Sequence, residues 1–182
     1  MIALFVLAAA AASPAGPVPT PIGLGPRYRL RGAPARVLRG EPVGTSTCRR
    51  GGRRYGVHVE LFASRRVLLL PAGIGIAAPR ARRGADDLPR GCSYVARTRT
   101  PTGVVEVRRG SSPTLRDLFA IWGERLGPRR LAGFGGRVHA FVGGRAWRGP
   151  VDEIPLRRHA EIVVEVGGCV PPHRSFVFAG GL

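Results

Sequence analysis

Segment 112–126, SPTLRDLFAIWGERL, carries the clearest helical period in a chain otherwise made of short β-type runs. Leu115, Leu118, Phe119, Trp122 and Leu126 recur at i, i+3, i+4, i+7 and i+11, which lines them up as one apolar stripe. Ser112 suits the N-cap, Pro113 suits the first helical position, and Gly127-Pro128 end the run. One stripe on one helix needs a sheet face to bury it. Trp122 reads as part of that packing rather than as a ligand.

The flanking segments supply the sheet. YGVHVELFA at 55–63 alternates, with Val57, Val59 and Leu61 on one face and His58 and Glu60 on the other. RRVLLLPAGIGI at 65–76 reads as a second, more buried strand, and APRARRGADDLPRG at 78–91 as a charged loop. YVARTRTPTGVVEVRR at 94–109 is a hairpin turning at Pro101 and Gly103. After the helix, RVHAFVGGRAWRG forms a hairpin at Gly143-Gly144, AEIVVEVGG at 160–168 is a strong strand, and SFVFAGGL is expected at a sheet edge. The order predicts an α+β fold, a β-grasp-like mixed sheet packed on a single amphipathic helix.

Domain organisation follows composition. MIALFVLAAAAA at 1–12 reads as a signal peptide, with Ala10 and Ala12 ahead of a cleavage point before Ser13. Residues 13–45, rich in Pro, Gly and Arg, read as a flexible lead-in, and 46–182 as the domain. The expectation is a secreted or extracytoplasmic protein. No apolar run reaches the ~18 residues of a transmembrane helix.

Cysteine usage agrees with export. Of Cys48, Cys92 and Cys169, the first two flank the first strand pair and are expected to bridge. Adjacent strands lie ~4.8 Å apart, inside the ~4.4–6.8 Å Cα range of a disulfide. Cys169 is expected free or intermolecular. Without a C-x-x-C spacing, thiolate zinc binding is disfavoured.

The net charge of +18 points toward polyanions. Yet all 29 basic residues are Arg, and Lys, Asn and Gln are absent, so the excess partly reflects GC-rich codons. The arginines are also spread along the chain. A specific nucleic-acid function is not expected; an acidic envelope polymer is the natural anionic partner.

Several stretches in order resemble an uncharacterised family of secreted, histidine-rich bacterial proteins: PAGIGI at 71–76, Cys92-x-Tyr94, TGVVEV at 102–107, TLRDLFAIWGERL at 114–126, HAFVGGRAWRG at 139–149, DEIPLRRHAEIVVEVG at 152–167 and the closing VPP…FVFAGGL. The resemblance spans about residues 46–182 and implies no particular activity. The family pattern places His-x-His-x-His in the first strand, Leu-His-Thr-His after the Cys and a further His after the turn. Alternate histidines share a strand face, so the resemblance implies a Cu or Zn site in those relatives. Here the positions hold Gly56, His58 and Glu60, then Arg97 and Arg99, then Glu106. Arg has no lone pair to donate, and its charge repels a cation.

Three site readings remain. His58, Glu60 and Glu106 form a reduced Cu or Zn ligand set, the one cofactor expectation. Arg97 and Arg99 form a polyanion surface. Alternatively, Glu60 and Glu106 pair with Arg97 and Arg99 across the sheet, in a hairpin register that local pattern does not decide. His139, His159 and His173 have weaker ligand claims, and Asp86-Asp87 reads as a self-paired or solvated loop. No G-x-S-x-G, H-E-x-x-H or phosphate loop is present. The leading expectation is a non-enzymatic binding or interaction module whose partner is a protein or envelope polymer.

Overall fold

A computed structural model describes residues 34–182. The expected signal peptide and most of the lead-in lie outside the described residues. The strands are β1 (Arg54–Ala63), β2 (Arg66–Leu68), β3 (Arg80–Arg83), β4 (Asp86–Pro89), β5 (Ala96–Arg97) and β6 (Val104–Arg108). Helix α1 (Leu115–Trp122) follows, then β7 (Leu126–Gly127), β8 (Arg130–Leu131), β9 (Phe134–Gly135), β10 (Val138–Val142), β11 (Arg145–Ala146) and β12 (Glu161–Val166). The fold is α+β.

The main sheet runs β11-β10-β12-β1-β6-β5, with β2 also on β1. Its centre is the parallel pair β1–β12, in register from His58 opposite Glu161 to Ala63 opposite Val166. β6 pairs antiparallel with β1, and β10 antiparallel with β12. Val57, Val59 and Leu61 of β1, Val105 and Val107 of β6, and Ile162, Val164 and Val166 of β12 face one way. They bury Leu115, Leu118, Phe119, Ile121 and Trp122 of the helix.

The helix is shorter than its sequence stripe. Thr114, not Ser112, is the N-cap, and its N–H donates to the Asp117 carboxylate at 2.8 Å. Gly123 adopts a left-handed φ of 90° and returns its N–H to Phe119, so the chain leaves the helix before Leu126. Leu126 instead opens the small meander β7-β8-β9.

Three loop and strand expectations change. Of the expected second strand only 66–68 forms one, and Ile76 makes a lone bridge to Ser93, because Pro71 lacks a donor and Gly73 and Gly75 turn the chain at positive φ. The expected charged loop at 78–91 contains the β3–β4 hairpin, pinned where Asp87 accepts from Arg80 and Arg82. Segment 175–182 forms no strand; its Phe176 and Phe178 rings instead stack on His58 and His159.

The lead-in boundary at 45 also shifts. Ala35 and Leu38 are buried in the main core, and Tyr94 donates its hydroxyl to the Glu41 carbonyl. The expected disulfide is present: Cys48 and Cys92 are bonded with Cα atoms 5.4 Å apart, beside the Arg49–Ser93 bridge. Cys169 is a free, exposed thiol.

Candidate metal centre

Strand alternation sends the even-numbered residues of β1 to the face away from the helix. That face carries Arg54, Gly56, His58 and Glu60 from β1. Glu106 and Arg108 come from β6, and Glu161 and Glu165 from β12. All three glutamates of β1 and β12 are buried, as are His58 and Arg54. Charged residues at such depth need partners or a bound ion.

The face divides into two parts. Toward β5, Glu106 is clamped: Arg97 Nε donates to Oε2 at 2.8 Å, and Arg99 Nε donates to Oε1. The register places Arg97 directly opposite Glu106, which settles the hairpin alignment. Arg54 beneath them donates to the carbonyls of Glu106 and Tyr94 and to Ser93 Oγ. Burial first, then repulsion from Arg97 and Arg108, pushes the Arg54 guanidinium down to about 9, so it stays charged at neutral pH. Arg97 and Arg99 thus spend donors on an internal carboxylate.

Toward β12 the chemistry changes. His58 Nδ1 lies 2.8 Å from Glu161 Oε2 and 4.0 Å from Glu60 Oε1. His58 Nε2 lies 3.2 Å from the Thr102 carbonyl, which can only accept. Nε2 is therefore the donor on that side, and the 2.8 Å contact at Nδ1 holds a hydrogen-bond proton between the ring and Glu161; a cation that displaces this proton meets the Nδ1 lone pair. A backbone carbonyl holding the far N–H is the usual support of a metal-ligating histidine. One ligand atom from each of His58, Glu60 and Glu161 lies within 4.8 Å of the other two. Glu161 Oε1 has no hydrogen-bond partner despite its burial. Desolvation, reinforced by Glu161 and opposed by the His173 contact, raises the Glu60 carboxyl above its usual range.

Of the expected ligands, the structure brings His58 and Glu60 together and places Glu106 elsewhere. Glu106 stands opposite Gly56, whereas His58 stands opposite Val104, so Glu106 is two residues along the ladder and held by arginine. Glu161 takes the third position. Glu60 likewise does not pair with Arg97 or Arg99; its contact is His173, whose Nδ1 lies 2.8 Å from both carboxylate oxygens. The sequence did hold one sign of Glu161: in EIVVEV, Glu161 and Glu165 alternate against inward Ile162, Val164 and Val166. That period places two acids on one face but not beside β1.

His139 and His159 lie outside this cluster. His139 is exposed opposite Glu165, and His159 Nε2 lies 2.8 Å from the Leu182 carbonyl. Among the described residues, no helix is long and apolar enough to cross a membrane. Compared with known proteins, the chain matches no family profile, no curated sequence and no solved structure.

Proposed function

We propose that this chain is a secreted, non-enzymatic binding protein whose ligand is a divalent transition-metal cation, Zn(II) or Cu(II), held by His58, Glu60 and Glu161. The observation that carries the reading is the fixed orientation of His58, with Nε2–H on a carbonyl and Nδ1 facing two buried carboxylates. Zinc takes imidazole and carboxylate donors at about 2.0–2.2 Å. The three ligand atoms already lie within 4.8 Å of one another, so the carboxylates have a short distance to close onto an ion. The cation also neutralises two carboxylates that are otherwise costly to keep ionised at this depth.

Other features support the rest of the reading. The Cys48–Cys92 bridge suits an oxidising compartment, in line with the leader expected at 1–12. Strand order around the parallel β1–β12 pair, with an amphipathic helix between the two halves, supports a β-grasp-like arrangement. The hydrogen-bond contacts of His58 are with a carboxylate and a carbonyl rather than a hydroxyl or thiol, which supports the non-enzymatic reading.

Calorimetric titration of the purified chain with Zn(II) and Cu(II) tests the proposal. Micromolar or tighter 1:1 binding, lost in both His58→Ala and Glu161→Gln, is expected. Binding weaker than millimolar, or binding indifferent to both substitutions, overturns it.

A further inference from the structure

Residues 169–182 reach the polar face through side chains and form no strand or helix there. Val170 is buried, and its N–H donates to Glu165 at 2.8 Å. The Phe176 ring stacks on His58 with centroids 3.8 Å apart, and Phe178 stacks on His159 at 4.9 Å. Between them and the strand end, His173 contacts Glu60. One residue of this segment covers the imidazole of the candidate centre, and another grips its carboxylate.

We infer that this segment is a clasp on the cation site and that His173 is the fourth donor. The inference rests on the cation reading above. His58–Glu161 and His173–Glu60 are two imidazole–carboxylate pairs, each made through Nδ1 at 2.8 Å. Glu60 Oε1 links them, 4.0 Å from His58 Nδ1. A hydrogen-bond proton occupies the gap in each pair. A cation displaces both protons to solvent and gathers two nitrogens and two oxygens, a set that zinc accepts tetrahedrally. His58, Glu60 and Glu161 are fixed by the β1–β12 ladder. The segment bearing His173 has no ladder, so it is the part that adjusts to complete the set. Binding then locks residues 169–182 onto the sheet, and release requires them to lift.

Hydrogen exchange of the full chain, with and without Zn(II), tests this beside zinc calorimetry. In the wild type, zinc slows exchange of amides 173–179 at least tenfold. His173→Ala binds zinc at least tenfold more weakly and shows no zinc-dependent protection there. His173→Gln, which can still donate to Glu60, behaves like His173→Ala toward zinc and serves where the alanine variant folds poorly. Equal zinc affinity in wild type and both variants, with no change in the exchange of 173–179, overturns the clasp while the three-residue cation site stands. Absence of zinc binding in the wild type overturns both.

Discussion

Glu161 Oε2 stands 2.8 Å from His58 Nδ1 although 103 residues separate them. The contact exists because β12 returns parallel to β1 and sets the two residues opposite each other. Both are buried. The centre is thus a product of the crossover, not of any local motif.

Glu60 ties stability to function. Burial raises its folded pKa above the ordinary 4.5. A raised carboxyl binds its proton more tightly folded than unfolded. Its stabilisation is therefore full below the unfolded value and is lost as pH rises through the folded one. Glu60→Gln keeps the neutral form at every pH. Without metal, its melting temperature should exceed that of the wild type at pH 7 and converge with it near pH 4, while zinc binding disappears. A less stable variant at pH 7 would contradict this.

Glu106 plays the opposite part. Removing it leaves Arg97 and Arg99 without their carboxylate, beside the buried Arg54. Breaking a fully buried pair costs roughly 3–5 kcal/mol. Arg99 is 41% exposed, so water offsets part of the loss, and Glu106→Ala should cost about 2–3 kcal/mol in urea unfolding. Its zinc affinity should stay within about twofold of wild type, which separates the arginine end of the face from the histidine end.

Gly56 leaves room for the clasp. A Cβ there would lie 2.5 Å from the Phe178 ring, on a strand whose backbone a β-branched residue suits. Gly56→Val should displace segment 169–182 without unfolding the sheet. Trypsin cleavage after the exposed Arg174 should speed up severalfold, with the global unfolding midpoint little changed. Unaltered cleavage would mean the ring is not held at that position.

The disulfide closes a sequence separation of 44 residues, worth ~4 kcal/mol in the chain-entropy account. Reduction should lower the melting temperature by about 10 °C. Alkylation of the unreduced protein should label Cys169 alone. Labelling at Cys48 or Cys92 would refute the pairing.

Much of the frame was legible locally. Alternation in 55–63 and 160–168, the apolar stripe around Trp122 and the Gly143-Gly144 turn each report on neighbours a few residues apart. The Cys48–Cys92 bridge followed from strand spacing. Glu161 was not legible as the partner of His58, because parallel pairing across the whole fold leaves no mark in either strand. Glu106 looked equivalent to Glu60 until the register set it against Arg97. The strand-like pattern of SFVFAGGL reflects rings that stack on His58 and His159 rather than a ladder.

The most direct measurement is anomalous X-ray diffraction at the zinc edge from crystals grown with Zn(II). One strong peak is expected, about 2.0–2.2 Å from His58 Nδ1 and from a carboxylate oxygen of each of Glu60 and Glu161. A direct His58–Glu161 contact left intact, with zinc elsewhere or nowhere, would contradict it.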